Sequence, residues 1–247
     1  MTFWDHLEDL RKSIFRMAAV LVGIAAILFF FKDFLFDDLI LAPAGSDFYL
    51  YRLLGTDFSL SLVNIEVAAQ FMIHIKATFV CAFIFSFPYM VYELWKFIAP
   101  ALYESEKRAV RKAFAFSGVL FYIGLAVGYL VILPLMINFF ADYQVSAGVP
   151  NTFSLSSYIS LFMSTVMIFG VVFEFPTVIA ILSALGIVTK EGLQTYRRHA
   201  VCAVVILAAL ITPSGDPFSL LVCTVPLYLL YEFSVLICRK GVASSEE

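Results

Sequence analysis

The chain has 247 residues, 62% of them hydrophobic and 14% charged, with a formal net charge of −3 and a mean hydropathy of +0.94. Soluble domains carry roughly a quarter charged residues, so composition excludes a soluble globular protein and predicts a membrane protein of several spans. The net charge decides little, because the distribution of Lys and Arg sets membrane orientation.

Met1 is followed by Asp5, Glu8 and Asp9, and no small-residue cleavage site follows the first apolar run, so that run is expected to be a retained span rather than a removed signal. Before it, Phe3, Leu7, Leu10 and Ile14 recur at helical spacing. This predicts an amphipathic helix on the inner membrane surface, with His6, Asp9 and Arg11 on its polar side. That side reads either as a solvated face with anchoring charges or as a binding face. Acidic residues are poor partners for an anionic lipid surface, which leaves Asp9 open to a basic peptide.

Six apolar segments follow in order: Ser13–Phe31, Val67–Tyr92 with Pro88, Ala113–Ala141 with Pro134, Tyr158–Leu185 with Glu174 and Pro176, Ala200–Ile211, and Phe218–Cys238. The predicted fold is an all-α integral membrane protein of six transmembrane helices. Residues 1–240 form one membrane domain, and 241–247 form a polar, disordered tail. The last two spans are joined by Thr212-Pro-Ser-Gly-Asp-Pro217, a turn in which Asp216 is placed to cap the sixth helix. The fifth and sixth helices are expected to be short; twelve uncharged residues reach about 18 Å, so a locally thin bilayer is expected there.

Thirteen of the 16 basic residues fall on one side of this arrangement, leaving Lys32, Arg52 and Lys76 on the other. Both termini are therefore expected in the cytoplasm. The first cytoplasmic loop is then Phe97-Ile-Ala-Pro-Ala-Leu-Tyr103-Glu-Ser-Glu106-Lys-Arg108. A plain connector needs a turn and positive charge. This one adds aromatics and two carboxylates, which points to a basic ligand.

Few polar groups enter the apolar segments. Glu174 lies deep in the fourth; a charge there costs about 2.5–3.5 kcal/mol on insertion scales. It reads as a relay carboxylate, an interhelical staple, or part of a polar concave face. Lys76 is expected to snorkel to the outer interface, and His74, two residues away, does not share its face. Glu232 is expected to pair with Arg239 or a Lys. Cys81, Cys202, Cys223 and Cys238 lack disulfide or metal spacing and read as packing residues.

Five segments together resemble the TatC family, the membrane receptor subunit of the twin-arginine protein translocase. They are His6-Leu-Glu-Asp-Leu-Arg-Lys12, Phe97–Tyr103 with Glu106-Lys-Arg108, Leu120-Phe-Tyr-Ile-Gly124, Phe173-Glu-Phe-Pro176, and Thr212-Pro213 with Asp216. The match runs from about residue 5 to 239. The resemblance implies a cupped six-helix bundle in a prokaryotic inner membrane, moving folded proteins with the proton-motive force. It implies that Glu106 and Asp9 bind the arginine pair of the signal peptide, with Phe97, Tyr103, Leu10 and Arg11 around them. Asp9 stands where the family usually has Glu. Glu174 falls on the hollow face. Single-span subunits of the TatA/TatB type dock on the hairpin at Thr212 and Asp216, and further copies of the chain join the complex. Leu220 replaces a frequent Gln, and Gly215 lengthens the turn by one residue.

The enzyme alternative, an intramembrane protease, finds no His-Glu-x-x-His, no Gly-x-Ser-Gly with a membrane His, and no aspartate pair. No phosphate loop is present, and no cofactor, metal or nucleic acid is expected. A proton-coupled secondary transporter is the other alternative. It would place several ionisable groups at mid-membrane, where Glu174 stands alone, and matching broken helices in two halves, which are not seen.

Overall fold

A computed structural model describes residues 3–54, 60–146, 148, 151–212 and 215–238, with only the backbone described at 3, 5, 53, 54, 105 and 211. Pro213, Arg239, Lys240 and the tail at 241–247 lie outside the described residues. The chain is mostly helical: α1 (Phe3–Leu28), α2 (Tyr49–Leu54), β1 (Leu62–Val63), α3 (Ala69–Ile98), α4 (Glu104–Val127), α5 (Leu133–Asp142), β2 (Phe153–Ser154), α6 (Leu155–Val172), α7 (Phe175–Ala184), α8 (Lys190–Thr195), α9 (Arg197–Ile211) and α10 (Pro217–Ile237).

Among the described residues, four helical stretches are long and apolar enough to cross a membrane: Ala69–Ala101, Glu106–Asp142, Leu155–Ala184 and Pro217–Ile237. They match the expected second, third, fourth and sixth spans. The expected first span lies in α1, where Arg11, Lys12 and Arg16 leave Met17–Leu28 uncharged. The expected fifth is α9, whose 15 residues reach about 22 Å. α10 has 21 residues and reaches about 31 Å, so of the two helices expected to be short only α9 is. The amphipathic stretch at the N-terminus is also not a separate helix. It forms the first turns of α1, because no Gly or Pro falls between Phe3 and Val22 to separate it from the apolar run.

The prolines act differently by position. Pro134 sits at the start of α5, after a π-helical turn at Gly128–Ile132. The wider turn absorbs the missing N–H, and the third span continues through it. Pro176 cannot donate to the Val172 carbonyl, and α6 ends at Val172 before α7 begins at Phe175.

The chain divides into two compact units, Met1–Phe97 with Leu125–Met167, and Ile98–Gly124 with Ile168–Glu247. In the first unit, residues 34–54 form a π-helix (Phe34–Ile40), a short 3-10 turn and α2. Three phenols hold this segment down by donating to its helix-end carbonyls: Tyr129 to Leu39 at 2.9 Å, Tyr158 to Ile40 at 2.6 Å and Tyr51 to Pro43 at 3.0 Å. Each satisfies an acceptor that the backbone leaves unpaired. Burial pushes the Tyr51 phenol well above its ordinary pKa. β1 and β2 pair in parallel, Leu62 opposite Phe153.

In the second unit α4 passes close to the segment from Phe169 to Phe173. A Cβ at Gly124 would lie 2.5 Å from the Phe169 carbonyl oxygen and 2.7 Å from Phe173 Cβ. The motif residues Gly124 and Phe173 thus form a backbone crossing that admits no side chain. Gly124→Ala is expected to destabilise the chain by about 1–3 kcal/mol, overriding the roughly 1 kcal/mol that Ala gains in helix propensity. Thermal unfolding in detergent measures it, and an unchanged Tm would contradict the crossing.

Candidate functional site

The loop after α3 is shaped by Pro100. A 3-10 turn at Ala99–Ala101 ends the helix, and Leu102 is extended with ψ 144°. α4 then starts on Tyr103, whose carbonyl accepts from the Glu106 and Lys107 N–H groups at 3.0 Å each. The Glu106 Oε2 lies 3.4 Å from the Tyr103 N–H, the side-chain half of a capping box. Glu104 and Glu106 both occupy the first turn, where the helix dipole favours anions. Their fates differ. Glu104 pairs with Lys107 at 3.0 Å, whereas the half-exposed Glu106 forms no ion pair among the described residues. Tyr103 beside it is 77% exposed.

The same division recurs on α1. Glu8 pairs with Lys12 at 3.0 Å across one turn. The neighbouring Asp9 is exposed and makes no ion pair among the described residues. Leu10 is half-exposed and Arg11 exposed. His6 stacks on Phe97 with ring centroids 4.2 Å apart at 17°, so the start of α1 lies against the end of α3. Phe97 is half-buried by this contact, which leaves Tyr103 as the more accessible aromatic group.

A network near this point was not anticipated. Glu93 on α3 is 3% exposed. Its Oε2 accepts from Arg16 Nη2 at 2.7 Å and Nε at 3.1 Å, and its Oε1 accepts from the Tyr89 hydroxyl at 3.1 Å. Arg16 also donates to Ser13 Oγ at 3.0 Å. The sequence reading placed Arg16 only among the topology charges. The signal was a charge inside the first apolar run together with Tyr89 and Glu93 one turn apart, since ionisable groups at that depth require partners.

Other expected residues are placed as follows. Glu174 sits in the turn between α6 and α7 with Oε1 buried and lacking a hydrogen-bond partner. The hydroxyls of Ser117 and Thr177 lie close to it. Thr212 is 5% exposed, and its hydroxyl donates back to the Ala208 carbonyl at 3.1 Å. Asp216 caps α10 by accepting from the Ser219 N–H at 2.8 Å, with Gly215 before it at φ +58°, a conformation that glycine adopts without strain. Both hairpin residues thus shape the turn. Glu232 pairs with Arg197 at 2.7 Å, because α9 runs beside α10 and brings Arg197 to it; the expected partner Arg239 lies outside the described residues. The His74 ring stacks on Phe29 with centroids 4.3 Å apart. Among the described residues no group of three or more His, Cys, Asp or Glu could hold a metal ion.

The model of the Sec-independent protein translocase protein (TatC) family matches residues 5–226. A TatC protein of Blattabacterium is 37% identical over 252 residues, covering 96% of this chain and 94% of that protein. Escherichia coli K12 TatC is 34% identical over 234 residues, covering 95% and 86%. Two crystal structures of a twin arginine translocase receptor TatC superpose with TM-scores of 0.79 and 0.76 at 28% identity, covering 95% and 94% of this chain and 99% and 97% of those chains. With its apolar spanning helices, the chain belongs to the TatC family and is a multi-pass membrane subunit of the Sec-independent protein translocase.

Proposed function

We propose that the chain is the signal-peptide receptor of a twin-arginine translocase in a prokaryotic inner membrane. The observation that carries this reading is the pairing pattern of its carboxylates. Glu104 and Glu8 are each closed by a lysine, while Glu106 and Asp9 stay open among the described residues. An open carboxylate at a helix start accepts a guanidinium bidentately, through a planar fork that an ammonium lacks. Glu106 takes one arginine, and Asp9 is the candidate for the other. An exposed ion pair contributes only about 0–1 kcal/mol, so apolar contact to the peptide from Tyr103, Leu10 and the partly covered Phe97 is required as well, with Arg11 exposed on the same helix as Asp9.

In this reading the chain has six spans in a cupped bundle, with both termini in the cytoplasm, as the basic residues favour. Glu174 contributes polarity to the hollow face during transport. Single-span subunits of the TatA/TatB type and further copies of the chain assemble onto it, with Thr212 and Asp216 shaping the docking hairpin, and the proton-motive force drives export of folded precursors.

The test is ligand-side. The purified chain should bind a twin-arginine signal peptide and lose roughly tenfold or more of that affinity when both arginines become lysines, since charge is kept and the fork is lost. Equal binding of the two peptides would remove guanidinium recognition. Uptake of a small solute driven by a pH gradient, with no peptide binding, would instead favour a proton-coupled transporter.

A further inference from the structure

We propose that a groove along α4 in the second unit is a binding site for one anionic phospholipid, its phosphate held by Arg108 and Lys112 and its acyl chains laid against Phe116, Leu120 and Ile123. The groove is an open cavity of about 710 Å³ lined by α4, α7 and α10, with Ala180 and Phe233 on its α7 and α10 walls. Its lining is mainly apolar; Arg108 and Lys112 stand at the end where α4 begins, and Thr177 and Ser183 of α7 add two hydroxyl groups.

Three observations select this occupant. First, Arg108 and Lys112 are one turn apart on a single face of α4 and both exposed, and neither forms an ion pair among the described residues. Like charges at this spacing repel, and an anion between them reverses that. Arg and Lys together form the donor set for a phosphate, a planar fork plus a point charge. Second, the charged end lies at a membrane boundary, because α4 begins there while the spanning stretches that contain α7 and α10 end there, at Ala184 and Ile237. Basic pockets between spanning helices at such a boundary suit anionic headgroups. Third, the dimensions fit one leaflet. Lys112 to Ile123 is about 16 Å of helix at 1.5 Å per residue, and half of a hydrocarbon core of about 30 Å is about 15 Å. A protein helix would fill the apolar part equally well but would bring no anion to the basic end unless it carried one there.

The site does not depend on peptide recognition and is tested without it. The full chain, reconstituted with phosphatidylglycerol and phosphatidylethanolamine and then extracted in mild detergent, is analysed by native mass spectrometry. One phosphatidylglycerol should remain per chain. The variant Arg108→Gln/Lys112→Gln should retain about tenfold less or lower still, each cation near the surface contributing about 1 kcal/mol. Ala180→Trp, which fills the groove and keeps both charges, should lose the lipid as well. Arg111→Gln, which removes a neighbouring charge outside the groove, should retain it fully. Unchanged retention in the double variant, equal loss in Arg111→Gln, or phosphatidylethanolamine held as firmly as phosphatidylglycerol would overturn the site. Cross-linking of a partner helix at position 180 in place of lipid would overturn it too. Should the double variant fail to fold, Arg108→Gln alone, with an expected loss of about threefold to tenfold, carries the same decision.

Discussion

Replacing Glu106 with Gln is expected to weaken binding of a twin-arginine signal peptide by roughly thirtyfold to a hundredfold, with membrane insertion and thermal stability unchanged. The carboxylate is half-exposed, its one close backbone contact is long at 3.4 Å, and no cation is paired with it among the described residues. Its loss therefore costs little in the free protein. In the complex the ligand guanidinium would be left facing a neutral amide in a partly dried site. Removing one member of a desolvated charge pair costs about 2–5 kcal/mol, and the partial exposure of Glu106 argues for the lower end. At 1.4 kcal/mol per decade, about 2–2.8 kcal/mol gives the stated range. Glu104→Gln supplies the contrast. Its carboxylate is closed by Lys107, so the effect should be within about 1 kcal/mol. Asp9→Asn should fall between the two, and Asp9→Glu should keep or improve binding through longer reach. Glu174→Gln should leave binding intact and lower transport. Quantitative photocross-linking of a precursor distinguishes these outcomes. Equal losses for Glu104 and Glu106 would show that the loop acts through bulk charge.

The second large effect is on stability. Arg16→Met should lower the Tm clearly, because it leaves the buried Glu93 carboxylate with the Tyr89 and Ser13 hydroxyls and no cation. Glu93→Leu should cost somewhat less, since Arg16 is 43% exposed on its side chain and can turn toward water. The double variant Arg16→Met/Glu93→Leu should lose less than the sum of the two, because replacing a buried pair as a unit avoids an uncompensated charge. Thermal unfolding of the four proteins in one detergent gives the coupling. Strict additivity would mean that the network contributes nothing as a pair. The consequence reaches the candidate site, since Asp9 lies two turns from Arg16 on α1, and His6 holds the same helix against Phe97.

Much of the fold was legible because its cause is one-dimensional. A run of about 20 apolar residues has one low-energy solution in a bilayer, a helix that satisfies its own backbone. The spans in Ala69–Ala101, Glu106–Asp142, Leu155–Ala184 and Pro217–Ile237 follow from that alone. Asp216 as a cap was equally local, and its bond to the Ser219 N–H is found. The turns of Pro134 and Pro176 were not separable by this logic, because whether a proline interrupts a span depends on the π-helical turn that precedes it.

By itself the sequence determined that this is a helical membrane protein, where four stretches long and apolar enough to cross a membrane lie, where basic residues concentrate, and that Glu106, Asp9 and Glu174 carry charge beside or inside the apolar runs. Only the tertiary structure decided which charges are already occupied. It paired Glu93 with Arg16, 77 positions apart, and Glu232 with Arg197. It tied the π-helix at Phe34–Ile40 to phenols on distant helices and set α4 against the Phe169 backbone at Gly124. The physical reason is range. Burial in a bilayer and helix capping act on residues within a turn of one another, whereas a salt bridge or a backbone crossing forms between residues that become neighbours only after the helices have packed.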